Sequence, residues 1–279
     1  MNILITGDRG KIGGLARGLL EEAGHDVAGF DIARNVKQDL LLPDSLLQAM
    51  TGVEVVVHCA AIPHPRHGGP GRYFDVNVHG TKFVLEMAAR QKARRVVYTS
   101  STAYYGCGIR DGQILSLYLP IDERHPPAST SPHLYGGGLE IYDISKVMAE
   151  QLVAFYGSQR NMETVVLRLA PANTKAWQYR TGFDWRTDDS WKRGCLFTNC
   201  HPDYAARAIQ LVVEAEGPFW GERFNIMDRY THGSINVHEF IQREYPLVPV
   251  AKSLGEHDSL ITPRKAMEVL GFEPCEELE

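Results

Sequence analysis

The sequence predicts an α/β fold, a doubly wound parallel sheet with a small C-terminal α/β substrate lobe. Three observations carry that reading. Short β-branched runs alternate with helical patterns over the first two-thirds of the chain; a glycine triplet sits between the first strand and the first helix; and an acid closes the second strand. In order, "NILIT" (2–6) reads as a buried strand, "IGGLARGLLEEAG" (12–24) as a helix ended by Gly24, and "DVAGF" (26–30) as a strand. "SLLQAM" gives a short helix, "VEVVVHCA" a strand, "YFDVNVHGTKFVLEMAARQ" a long helix and "RRVVYTSS" a strand. "EIYDISKVMAEQLVAFYGS" reads as a helix and "ETVVLRLA" as a strand. Strand, helix and strand at this spacing imply right-handed crossovers.

After Ala172 the rhythm loosens into the aromatic, charged stretch "NTKAWQYRTGFDWRTDDSWKRG". A helix near 203–215, the strand "RFNIM" and the helices "NVHEFIQREY" and "TPRKAMEVLG" follow. The expected division is therefore a dinucleotide-binding domain over 1–172 and a small lobe over 173–279, interwoven with it.

Composition narrows the function. A chain of 279 residues with net charge -5 and 23% charged residues suits a soluble globular protein, and gives no reason to expect nucleic acid. The basic cluster Arg90, Lys92, Arg94 and Arg95 reads as a helix C-terminus meeting its own dipole. Five scattered cysteines without a C-x-x-C pair argue against a disulfide framework and a zinc site. His64 and His67 read as a polar loop near a pocket mouth, not a metal site. "MNILITG" lacks the regions of a signal peptide, and the apolar run "VEVVVHCAAI" is too short to span a bilayer. A cytoplasmic, reduced protein with no membrane contact is expected.

"TGDRGKIG" (6–13) joins the first strand to the first helix, with Gly7, Gly10 and Gly13 three apart. Glycine permits a tight turn, a close approach of backbone to a pyrophosphate, and close helix–strand packing; the helix N-terminus supplies amide donors. Asp31 lies eighteen residues after Gly13, where a carboxylate takes hydrogen bonds from an adenosine ribose and repels a 2′-phosphate. That favours NAD over NADP, although Arg9 and Arg34 pull the other way.

Tyr142 and Lys146 stand four apart on a helical segment, so phenol and ammonium share a face. A nearby cation is expected to lower the phenol's pKa and fit it for proton exchange with a substrate hydroxyl. Tyr135 has Leu139 at the same offset and is the lesser candidate. "VVYTSSTAYYG" (96–106) adds hydroxyls at a strand end: Thr99, Ser100, Ser101 and Thr102.

With these motifs in place, the chain resembles the extended short-chain dehydrogenase/reductase superfamily, of the NAD-dependent epimerase/dehydratase type. "TGDRGKIG", Asp31, "DL" (39–40), "HCAA" (58–61), "NVHGT" (77–81), "SSTAYYG" (100–106) and "YDISK" (142–146) carry the likeness, which runs over nearly the whole chain. The resemblance implies a Rossmann-type fold and a set of roles. Gly7, Arg9, Gly10, Lys11, Ile12, Gly13 and Asp31 would hold the cofactor, with Asp39 and Leu40 beside the adenine. Ala60, Ala61, Thr99 and Pro171 would line the cofactor and Asn77 would support the region. The family's Ser/Thr, five residues before the glycine here numbered 106, makes Ser101 the catalytic hydroxyl. Tyr142 and Lys146 take the acid/base and ribose-binding roles, with Ser100 and Thr102 on the substrate side.

Two departures stand out: Pro171 replaces an Asn often found there, and "YGGGLEIYDISK" carries extra residues before the tyrosine. Among shorter members the uronate dehydrogenases set a carboxylate-binding arginine twelve residues after the strand arginine; here Arg180 stands at that offset from Arg168. Those enzymes carry Asn-His after the serine, whereas this chain has Thr102 and Ala103. The expectation is hydride transfer at a secondary alcohol of a sugar or sugar acid. Alternatives are a nucleotide-sugar epimerase or dehydratase that recycles NAD internally, and a non-catalytic NAD-binding sensor. The helices near 72–91 and 138–157 permit a homodimer through a four-helix bundle, as the family does.

Overall fold

The structure is a computed structural model that describes residues 1–63, 70–106, 116–128, 141–172, 194–231 and 235–276. Among the described residues, six parallel strands form one sheet in the order β2-β1-β3-β4-β5-β6. They are β1 (Asn2–Thr6), β2 (Asp26–Phe30), β3 (Val55–His58), β4 (Arg95–Ser101), β5 (Glu163–Leu169) and β6 (Trp220–Ile226). The order reverses at β1, so the carboxyl ends of β1 and β3 flank the crevice where ligands bind in such sheets.

Strand sequences fit burial on both faces. Ile3, Ile5, Val55, Val57, Val97, Val165 and Leu167 pack with Ala16 and Leu20 of α1 (Lys11–Glu22) and with α6 (Pro202–Glu214). Leu4, Val56, Val96, Tyr98 and Val166 pack on the other face. Their partners there come from α2 (Pro43–Ala49), α4 (Thr81–Arg90) and α5 (Ile141–Ser158).

The single long helix expected near 72–91 is compound. A short α3 (Pro70–Tyr73) runs into a π-helical turn, Phe74–Gly80, before α4. The wider turn lets Asn77 face the interior at 1% exposure. Of the basic cluster, Arg90 does stand in the last turn of α4, whereas Arg95 reads differently in space. Arg95 is fully buried in β4, where it pairs with Glu163 and donates to Val212 O (2.5 Å), Ala215 O (3.0 Å) and Gly217 O (3.0 Å). It does meet a helix C-terminus, but that of α6, not its own neighbour's.

Part of 173–279 builds the sheet itself, since β6 pairs with β5 and α6 packs on α1. The remaining elements are α7 (Val237–Glu244), capped by Asn236 Oδ1 accepting from His238 N and Glu239 N, and α8 (Arg264–Leu270). Single bridges tie them to the chain before α5: Leu119 with Val250 and Ile121 with Ile261. No helix among the described residues is long and apolar enough to cross a membrane.

Candidate active site

The glycine loop closes on itself over the crevice. Gly7 has φ +75°, and a Cβ there would lie 2.6 Å from Ala60 N. A Cβ on Gly13 would lie 2.3 Å from Gly7 O, so α1 can approach the loop only without a side chain. Gly10 N donates to Gly7 O at 3.0 Å and begins α1, whose first turn receives no side-chain cap. Its amides are thus left to a ligand, which is the cradle that a pyrophosphate fits. Lys11 Nζ donates to Ala172 O at 2.9 Å, joining the start of α1 to the loop after β5, while Pro171 O accepts from Cys200 N at 3.1 Å.

Asp31 directly follows β2, with both carboxylate oxygens fixed by backbone donors. Arg9 N donates to Oδ2 at 3.1 Å and Ala33 N to Oδ1 at 2.8 Å. Asp39 Oδ1 accepts from Leu41 N at 3.0 Å, and Leu40 is buried against the helix at Gly80, where a Cβ would meet it at 3.1 Å.

Across the crevice, Asn77 holds the segment after β3. Its Oδ1 accepts from Ile62 N (2.8 Å), and its Nδ2 donates to Ile62 O (3.2 Å) and Ser145 Oγ (3.1 Å). Ala60 and Ala61 are thereby fastened to α5. His58 links three elements, with Thr6 Oγ1 at 2.7 Å and Thr81 Oγ1 at 3.0 Å. Burial, reinforced by Lys146, pushes it down to about 3, so it is neutral at ordinary pH.

Tyr142, Lys146 and Glu150 follow one another at intervals of four along α5. Ser101 lies by the Tyr142 phenol, whose charged form it favours, and caps the turn after β4 by accepting from Ala103 N at 3.1 Å. The Tyr73 ring meets Tyr142 edge-on at 6.4 Å. Lys146 Nζ donates to Thr99 O at 3.0 Å and Tyr98 Oη at 3.4 Å, and lies 5.8 Å from the Tyr142 ring centre.

The electrostatics correct one expectation. Burial pushes the Tyr142 phenol up to about 12, Ser101 works against that rise, and Lys146 is not among the causes. Lys146 itself is lowered to about 8 by burial, with Glu150 opposing. Removing both groups from water outweighs their mutual effect at this separation, and the ammonium is engaged by Thr99 and Tyr98 instead.

Two expected substrate contacts lie elsewhere. Ser100 is 4% exposed and donates to Glu150 Oε1 at 2.6 Å, because strand alternation turns it away from the face of Ser101. There it joins a buried ion pair, Arg168 Nη2 to Glu150 Oε2 at 2.8 Å, extended through Tyr105 Oη to Asn225 Oδ1 at 2.8 Å. Thr102 is 1% exposed within the turn Thr102–Tyr105. Thr99 Oγ1 donates to His58 O at 3.1 Å. Arg180, Tyr135, Leu139, His64, His67 and Cys107 lie outside the described residues.

Residue reasoning passed over His58, Glu150 and Asp8. Glu150 had a signal, an acid on the Tyr142–Lys146 helix face between Ala149 and Val153. So did Asp8, because the isolated glycine in the strand "DVAGF" marks a close approach.

Comparison with known proteins places this arrangement. Residues 3–173, more than half of the chain, match the model of the NAD dependent epimerase/dehydratase family. The chain belongs to that family, whose cofactor is NAD. It is similar to sterol demethylase protein B of Methylococcus capsulatus, 36% identical over 38% of this chain and 36% of that protein. It is also similar to a putative UDP-glucose 4-epimerase of Methanocaldococcus jannaschii, 30% identical over 60% of this chain and 54% of that protein. The aligned stretches thus span about a third to a half of these relatives. Among solved structures, a short-chain dehydrogenase/reductase superfamily protein from Agrobacterium tumefaciens with bound NAD is 20% identical, with a TM-score of 0.72 over 100% of this chain and 94% of that one. UDP-glucose 4-epimerase from Brucella ovis in complex with NAD is 21% identical, with a TM-score of 0.68 over 99% and 94%. At such identities these likenesses establish the fold.

Proposed function

We propose that the protein is an NAD-dependent oxidoreductase acting on a secondary alcohol of a sugar or sugar acid. The observation that carries this is the junction of Ser101, Tyr142 and Lys146 at the carboxyl end of β4, beside the glycine cradle. NAD supplies the hydride acceptor when bound. Gly7, Gly10 and Gly13 would admit its pyrophosphate, and Asp31 its adenosine ribose.

Ser101 positions the substrate oxygen. Tyr142, as the phenolate, takes the proton of the substrate hydroxyl as the hydride leaves, and gives it up to water before the next turnover. Lys146, charged below about 8 and held by Thr99 O and Tyr98 Oη, would bind the nicotinamide ribose. Arg180 is proposed as the carboxylate partner of a sugar acid, since a guanidinium forks onto a carboxylate.

A second reading is an epimerase or dehydratase with internally recycled NAD, favoured by the likeness to a putative UDP-glucose 4-epimerase. The alternative of a non-catalytic sensor is tested by substitution. Tyr142→Phe is expected to lower turnover by about 10²–10⁴-fold, the range for losing a positioned acid/base. Turnover or biological activity left intact in Tyr142→Phe would favour the sensor.

A further inference from the structure

The glycine loop carries a buried acid that the proposed chemistry does not use. Asp8 is 3% exposed, and its carboxylate is held by two arginines. Arg17 Nη1 donates to Oδ2 at 3.0 Å, and Arg34 Nε donates to Oδ1 and Oδ2 at 3.0 and 2.7 Å. Arg34 Nη2 donates to Oδ2 as well. Arg17 is further fixed by Val27 O at 3.2 Å and Glu21 Oε1 at 2.7 Å. The neighbouring strand makes room for the carboxylate by having no side chain, since a Cβ on Gly29 would lie 2.1 Å from Asp8 Oδ2.

Arg34 stands in the turn after Asp31, with its N–H donating to Asp31 O at 2.9 Å. With Asp31 at the adenosine ribose, this turn is where a ribose 2′-phosphate would meet the protein. An unengaged guanidinium there would fork onto the phosphate. Arg34 instead spends its Nε and Nη2 donors on Asp8, and its side chain is 33% exposed. Arg9 contributes its backbone amide to Asp31.

We infer that Asp8 contributes to dinucleotide specificity, holding the Arg34 guanidinium at the glycine loop so that Asp31 meets a ribose hydroxyl and Arg34 is withheld from a 2′-phosphate. This rests on the NAD reading above and names a residue that contributes to it. Asp8 is a positioning residue, acting through Arg34.

The test is calorimetric titration of the full-length protein with NAD and with NADP, read as the ratio of the two dissociation constants. Asp8→Asn is expected to shift that ratio toward NADP by about tenfold or more, the effect of one new charge-assisted phosphate contact. Asp8→Asn combined with Arg34→Gln is expected to return the ratio to its wild-type value. A gain that persists in the double variant belongs to another cation and overturns the inference. Arg34→Gln alone leaves Arg17 to pair Asp8, so it reports even if Asp8→Asn does not fold. It is expected to leave the ratio within about twofold, whereas a shift away from NADP of about fivefold or more would show Arg34 already engaging the phosphate. Wild-type protein that binds neither dinucleotide would overturn the cofactor reading and this inference with it. Wild-type protein that binds NAD, with Asp8→Asn unmoved, would overturn the inference alone.

Discussion

At the residue scale the site is governed by the cost of burying charge. Lys146 has a folded-state value of about 8 against an ordinary 10.5, so the native state gives up its proton more readily than the unfolded chain. That cost is fully present below about 8 and is relieved as pH rises from there to 10.5. Lys146→Met, which keeps the stem and removes the charge, is therefore expected to be at least as stable as wild type near neutrality. Wild type should gain on it between about pH 8 and 10.5, as read by urea unfolding across that range. His58 follows the same sign in acid. Its folded value of about 3 lies below the ordinary 6.5, so falling pH protonates the unfolded chain first. Stability should drop with a slope of up to about 1.4 kcal/mol per pH unit in that window, and His58→Gln should lack this part of the slope. The Tyr-x-x-x-Lys spacing made the pair legible in the sequence. The direction of the phenol's shift was not, because it depends on how far Nζ reaches past the ring to Thr99 and Tyr98.

At the element scale, α5 is anchored beneath its reacting residues by the pair of Glu150 with Arg168 of β5, both side chains fully buried. Removing one partner leaves a buried charge unpaired, so Glu150→Gln is expected to cost about 3–5 kcal/mol in chemical denaturation. Most elements could be read from strand-length apolar runs and helical periodicity, including β1, β2 and α5 to within a residue or two at each end. The π-helical turn Phe74–Gly80 could not, since helical periodicity carries no mark of one widened turn. Nor could Ser100 be separated from Ser101 by composition. Alternation of the strand decides it, sending one hydroxyl to Glu150 and the other to Tyr142.

At the scale of the whole molecule, 173–279 is bound into the sheet as well as covering it. β6 buries Phe224 and Ile226 beside β5, and α6 closes the face over Val165 and Leu167. A fragment ending at residue 172 is expected to show no cooperative thermal transition, because one face of its sheet would stand open to water. That interleaving was partly hidden in the sequence, where "RFNIM" is too short to declare which sheet it joins. The family, by contrast, was legible, because its motifs fall at loops and strand ends where few residue types satisfy the backbone.

The substrate class is the central claim, and the most direct measurement is nicotinamide absorbance after mixing the protein and NAD with free sugar acids, neutral sugars and UDP-sugars in turn. Net formation of NADH on a free sugar or sugar acid, lost in Tyr142→Phe, is the predicted result. A UDP-sugar converted to another species with no net NADH would contradict it and establish internal recycling of the cofactor.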